Sequence, residues 1–189
     1  MRGPRLVIQP LTPDRWPDLV ALFGPRGATA GCWCMWWRLP HAQWTRQKGD
    51  GNKRELRKVV QAGPPPGLLA YADAEPVGWC AVAPRADYPR LGRSRVLAPV
   101  DDQPVWSVTC FFVARPWRRR GMTRALLEAA ARHVRAHGGR VLEGYPVDAR
   151  AKAPDVFVHT GLVSTFEKTR FREVARRSAT RPILRRALR

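Results

Sequence analysis

Val105-Trp-Ser-Val-Thr-Cys-Phe-Phe-Val113, then Ala114-Arg-Pro-Trp117, then Arg118-Arg-Arg-Gly-Met-Thr123, is the stretch that decides how this chain folds. Its first nine residues read as a buried strand, bounded by a proline and an arginine-rich turn. Gly121 turns the chain into a helix. Met122, Leu126, Ala130 and Val134 recur there at helical spacing, with Ala129 and His133 alongside, and Gly138-Gly139 closes it. The first turn of a helix leaves backbone N–H groups open, and the helix dipole adds positive charge, so phosphate is favoured there. Three consecutive arginines at the entrance suit a pyrophosphate or ribose phosphate. The strand–turn–helix setting marks an anion cradle rather than charged punctuation.

Two segments carry a family resemblance. Arg118-x-x-Gly121-x-Thr123 resembles the Gln/Arg-x-x-Gly-x-Gly/Ala acyl-CoA-binding motif of the GNAT acyltransferase superfamily. Phe166-Glu-Lys-Thr-Arg-Phe171-Arg-Glu-Val174 is similar to that family's Tyr-Glu-Lys-Leu-Gly-Phe-x-Glu-Val segment, which closes the last helix onto the sixth strand. The likeness spans about Leu6 to Leu188 in element order and is sharp over Val105–Gly139 and Gly161–Arg177. It implies an α/β GNAT acyltransferase fold over 1–189 as a single domain. Such a fold has a mixed, mostly antiparallel sheet of about seven strands, helices on both faces, and splayed fourth and fifth strands.

The rest of the chain agrees with that order. Arg5–Leu11 reads as a strand, and Thr12-Pro13-Asp14 as a helix start with a capping hydroxyl. Trp16, Leu19, Val20 and Phe23 follow at helical spacing, and Gly24-Pro25 ends that helix. Gly24–Gly31 is expected to be a loop, followed by an aromatic stretch and another polar loop. Lys53–Ala62 is predicted helical, with Leu56, Val59 and Val60 on one face, and Gly63-Pro-Pro-Pro-Gly67 stops it. Gly67–Asp73 and Pro76–Ala83 make a hairpin, and residues 84–104 a long proline- and arginine-rich excursion. Val141–Val147 is predicted as a strand, Asp148–Val158 as a connector and Gly161–Thr169 as a short helix. Phe171–Ser178 and Arg181–Leu188 form the closing strands.

A chain of 189 residues with 44% hydrophobic content can bury a full core. No apolar stretch nears the roughly 20 residues of a membrane span, and the start leads into no signal-peptide core. Cys32, Cys34, Cys80 and Cys110 make neither a disulfide framework nor a two-residue metal knuckle, so free thiols, no metal and a cytoplasmic location are expected. The 34 basic residues, most of them arginine, outnumber 15 acids and give a net charge of +19. Such a field attracts anions, from the cofactor to nucleic acid, although no base-reading motif accompanies it.

The resemblance implies acetyl-CoA, or another acyl-CoA, as co-substrate. In the family the pantetheine arm lies between the splayed strands, which assigns backbone contacts to Phe112 and Val113. Pyrophosphate contacts fall to Arg118, Arg119, Arg120, Gly121, Met122, Thr123 and Arg124, with Thr123 departing from the family's Gly/Ala. Acyl transfer also needs a neutral amine, and a lysine-type amine is neutral in roughly one molecule in 2,500 at pH 7. A base is therefore expected. Relatives often place a glutamate on the fourth strand, but Val105–Val113 holds no acid. Glu143, Asp148, Asp101 and Asp102 are the remaining carboxylates, and a water chain through Ser107 or Thr109 is an alternative. Phe166 stands where relatives use a tyrosine to protonate the leaving thiolate, which leaves Ser164 and Tyr145 as substitutes. His159 is expected to cap the following helix.

Cys32-Trp-Cys-Met-Trp-Trp-Arg38 falls where the family builds one wall of the acceptor site. Trp33, Trp36 and Trp37 can stack on a ring or hold a cation, and Trp44 extends the wall; packing of aromatics under a loop explains them equally. Three functions follow. The first is N-acyl transfer to a small-molecule or peptide amine, by a monomer or homodimer away from membranes. The second is transfer to an acceptor attached to RNA or the ribosome. The third is non-catalytic sensing of acyl-CoA, or nucleic-acid binding.

Overall fold

The computed structural model describes residues 4–148 and 158–188, so the interior of the expected connector lies outside the described residues. Seven strands form one sheet: β1 (Leu6–Pro10), β2 (Gly67–Ala72), β3 (Glu75–Pro84), β4 (Trp106–Val113), β5 (Val141–Gly144), β6 (Arg172–Arg176) and β7 (Pro182–Ala187). Their order across the sheet is β1-β2-β3-β4-β5-β7-β6. Every neighbouring pair is antiparallel except β4 with β5. The helices are α1 (Trp16–Phe23), α2 (His41–Arg46), α3 (Asp50–Ala62), α4 (Pro89–Gly92), α5 (Met122–Ala136) and α6 (Val163–Glu167). The mixed, mostly antiparallel sheet expected from the sequence is thus what the chain forms.

Both faces of the sheet are covered because β2, β3 and β4 alternate apolar residues to both sides. Leu126, Leu127, Ala130 and Val134 of α5 pack with Ala70, Val82, Val108 and Phe111 on one face. Leu19 and Phe23 of α1, Leu56 and Val60 of α3, and Trp33 and Met35 of the loop between them cover Leu69, Trp79 and Ala81 on the other. A third cluster forms where the 84–104 excursion folds back, with Tyr88, Leu91 and Leu97 packed with Tyr145 and Ile183.

Several local expectations are corrected. The polar loop before the third helix contains α2, a short helix after Pro40 whose single turn and a half gives little periodicity to read. The following helix begins at Asp50, three residues early. The excursion holds a 3-10 turn at Arg85–Asp87 and α4. β5 stops at Gly144, and Val147 instead bridges to Leu162. Thr12 caps no helix N–H; its hydroxyl accepts a hydrogen bond from Arg15 at 2.7 Å.

Candidate active site

The parallel ladder between β4 and β5 is three pairs long, Trp106 with Leu142, Ser107 with Glu143 and Val108 with Gly144. The strands then part. On the β3 side, Ala81 and Val82 pair with Cys110 and Val108, which leaves Thr109 as the extra residue of a bulge. Beyond the bulge Phe112 pairs with Trp79, and Ala114 N–H bonds to the Val77 carbonyl. Antiparallel alternation therefore turns the backbone of Phe112 toward β3 and those of Phe111 and Val113 toward the gap. Phe111 N–H donates to the His159 carbonyl at 2.6 Å, and the Val113 carbonyl accepts from Arg118 Nε at 3.1 Å. Of the two backbone contacts expected for pantetheine, Val113 faces the gap and Phe112 does not.

A 3-10 turn (Arg115–Trp117) leads from β4 to the arginines. Arg119 takes a left-handed φ of 61° and Gly121 one of 78°. The Gly121 carbonyl accepts the bond from Ala125 N–H, so the N–H groups of Met122, Thr123 and Arg124 lie outside the intrahelical ladder. Met122 is buried in the core, which fixes the helix start and leaves only its backbone for an anion. Thr123 is half-buried, while Arg118, Arg119, Arg120 and Arg124 are exposed around the opening. Arg120 lies over the Trp117 ring, 5.6 Å from its centroid. The helix start carries no capping side chain to compete with an anion.

Glu143 is fully buried. Its Oε1 accepts from Arg85 Nη1 and the Tyr145 hydroxyl, both at 2.6 Å, and its Oε2 from Arg185 Nε at 2.7 Å. Arg185 grips Asp101 through two further bonds, which hold that carboxyl below its ordinary range. The Tyr145 and Ser107 hydroxyls lie 2.7 Å apart. Burial, with the Glu143 carboxylate beside it, keeps the Tyr145 phenol well above its usual value, and it therefore stays protonated. The network ties β4, β5, β7 and the 84–104 excursion together. It brings Glu143 and Tyr145 into hydrogen-bond contact and turns neither Glu143 oxygen outward.

Ser164 is exposed on α6 and lines a cleft of about 390 Å³ with Asp148, Glu167, Glu173 and Arg176. No hydrogen bond among the described residues links it to Tyr145. Asp148 pairs with Arg176 at 2.9 Å, and Asp102 is an exposed residue lining a larger cleft of about 750 Å³. That cleft lies at the opposite end of β4 from the arginine turn, between Pro84–Pro89, Asp101–Trp106 and His137–Arg140. Phe166 is buried, edge-on to Phe111 and Phe171.

The tryptophans divide. Trp33 is a core residue between Trp16, Phe23 and Lys53, in the packing beneath a loop that stood as the alternative to a place in the acceptor wall. Its ring presses on Gly27, where a Cβ would stand 2.1 Å from the indole nitrogen. Trp36 is edge-on to Trp37, His41 and Trp44, and the Arg90 guanidinium lies 3.7 Å over its face. Buried Asn52 holds the whole segment by donating to the Gly31 and Trp44 carbonyls. Arg38 closes the aromatic stretch that the sequence singled out, but Arg85, Tyr88 and Arg90 went unmarked, because a single charge or ring in a proline-rich loop carries no periodicity that would single it out.

A parallel pair that splays, with a glycine-started helix after it, is the arrangement the sequence motifs anticipate; the bulge at Thr109 is an addition. The family model for GNAT acetyltransferases matches residues 33–153. The chain belongs to the GNAT acetyltransferase family. No curated protein matches it. Among solved structures it is similar to the acetyltransferase from Thermus thermophilus, at 20% identity over 100% of both chains with a TM-score of 0.55. It is similar to PaiA N-acetyltransferase from Thermoplasma acidophilum in complex with coenzyme A, at 12% identity, 97% and 99% coverage and a TM-score of 0.56. The ribosomal-protein-S18-alanine N-acetyltransferase from Escherichia coli gives 12% identity, 97% and 94% coverage and a TM-score of 0.54. At these identities the likeness is one of fold. Among the described residues, no group of three or more side chains could hold a metal, and no helix is long and apolar enough to cross a membrane.

Proposed function

We propose that this GNAT acetyltransferase, acting as one domain over 1–189, transfers acetyl from acetyl-CoA to a primary amine of a small molecule or peptide by direct attack in a ternary complex. The open helix start at Gly121, ringed by four exposed arginines beside the gap between β4 and β5, carries this reading. Arg118 is placed to exchange its bond with Val113 for a phosphate, which would free that carbonyl for a pantetheine amide. The neutral amine attacks the thioester carbonyl, the C–S bond breaks, and the CoA thiolate takes up a proton.

With β4 free of acids and Glu143 enclosed, proton removal falls to water or to the amine's own ionisation before binding. Ser107, Tyr145 and Glu143 form a hydroxyl–carboxylate chain behind the bulge. We assign Glu143 and Tyr145 to holding Ser107 and the β4–β5 junction in place. Release of free thiol from acetyl-CoA, followed across an amine panel with mass spectrometry of the product, tests the reading. Tight acetyl-CoA binding without turnover of any amine would favour a non-catalytic sensor. The net charge of +19 supports a second reading, an acceptor carried on RNA or the ribosome. That reading requires acceptor binding to weaken steeply with salt while acetyl-CoA binding does not.

A further inference from the structure

The face of the sheet that carries Ser107, Thr109 and Cys110 is roofed by the segment around Trp37 and Arg38 and by the turn at Arg85–Asp87. Among the described residues, three polar groups are buried here without a hydrogen-bond partner: Trp37 Nε1, Arg38 Nη2 and the Tyr88 hydroxyl. The Arg38 side chain is 10% exposed, and its other terminal nitrogen lies 3.6 Å from Asp87, too long for a good hydrogen bond. Its guanidinium rests over the Tyr88 ring at 4.7 Å. The Tyr88 hydroxyl sits beside Thr109, the bulged residue, without completing a bond to it. The Cys34 sulfur, on the same segment as Arg38, is 3.4 Å from that of Cys110 on β4. Tyr88, whose ring the guanidinium covers, packs with Ala83, the β3 partner of Ser107 on the strand that splays.

Buried polar groups are nearly always satisfied, and an unpaired charged donor is the costliest exception. Guanidinium and indole nitrogens only donate, so the missing partner is an acceptor atom; Asp87 sits on the Nη1 side and leaves the Nη2 edge of the cation unfilled. The planar edge of arginine matches the two oxygens of a carboxylate. We propose that the acceptor amine of this enzyme carries a carboxylate, as in an amino acid, and that Arg38 binds it with help from Trp37 and Tyr88. This rests on the acetyl-transfer reading above and names its acceptor class. In an α-amino acid one carbon separates carboxylate from amine, so a carboxylate held beside the bulge delivers the amine to the splayed strands.

The test compares L-amino acids with their decarboxylated amines and methyl esters, scored by thiol release from acetyl-CoA. N-acetyl amino acids are titrated calorimetrically into the CoA complex in parallel. The acids are expected to exceed their matched amines and esters at least tenfold in kcat/KM. Arg38→Met should erase that ratio with acetyl-CoA affinity unchanged, Arg38→Lys should keep part of it, and Tyr88→Phe should reduce it several-fold. If Arg38→Met does not fold, the wild-type ratio and the other two variants decide. Equal use of amines and esters, or a ratio indifferent to Arg38→Lys and Tyr88→Phe, overturns the proposal. So does normal acetyl-CoA binding with neither turnover nor binding of any acid. Failure to bind acetyl-CoA removes the acetyl-transfer reading itself, and this proposal with it.

Discussion

Val108 and Gly144 are the last partners of the parallel ladder, and the Phe166 ring lies against Gly144 where the strands part. A Cβ on Gly144 would stand 2.1 Å from Phe166 Cε1 and 2.8 Å from its Cζ. The glycine is needed for that close approach, and the ring fills the space beside the opening. In place of a proton donor the chain has a wedge.

Phe166→Tyr should accordingly lower stability. The added hydroxyl enters a fully buried site among Phe111 and Phe171, and an unsatisfied buried hydroxyl costs about 1–3 kcal/mol. Urea unfolding measures it. Unchanged stability with faster turnover would instead assign a proton-donating role to that position.

Gly121 separates backbone strain from charge. Nothing lies within 4 Å of a Cβ there, but its φ of 78° is left-handed. Gly121→Ala should cost about 1 kcal/mol through that conformation alone, with a modest loss of acetyl-CoA affinity. Gly121→Glu adds a carboxylate at the helix start and should abolish detectable binding. Equal affinity in both variants would place the phosphates elsewhere.

Glu143→Gln distinguishes a base from a buried tie. Removing one charge from a carboxylate gripped by Arg85 and Arg185 should destabilise the protein by about 3 kcal/mol. The pH dependence of kcat in the folded variant should keep its shape. A general base would lose most of kcat with little change in stability.

His133 gives a pH signature. Burial, and His137 beside it, lower its pKa to about 4 from 6.5. The unfolded chain then takes up a proton below about pH 6.5 that the folded chain accepts only near pH 4, so stability is complete above pH 6.5 and declines as pH falls. Across pH 7 to 5 the loss should be about 2 kcal/mol. Urea unfolding at both pH values checks this, and His133→Gln should flatten the difference.

Much of this was legible in the chain. The β4 run, the arginine turn and the α5 periodicity are local signals in which apolar spacing, turn glycine and helix start agree, and the fold places them as read. The aromatic segment was ambiguous because Trp33, Trp36 and Trp37 are alike in sequence and differ only in what folds over them. Glu143 looked like a free strand acid, since its partners Arg85 and Arg185 lie 58 and 42 residues away. Tyr88 was invisible for the same reason, and Arg38, though part of the aromatic stretch, showed no role of its own: both depend on the excursion folding back over the sheet.

The most direct test of the central claim is calorimetric titration of acetyl-CoA at low and moderate salt, beside free CoA and an unrelated polyanion. Saturable binding of acetyl-CoA that survives moderate salt and is not matched by the polyanion is the expected result. Binding no stronger than that of the polyanion, and lost together with it as salt rises, would contradict the cradle at Gly121.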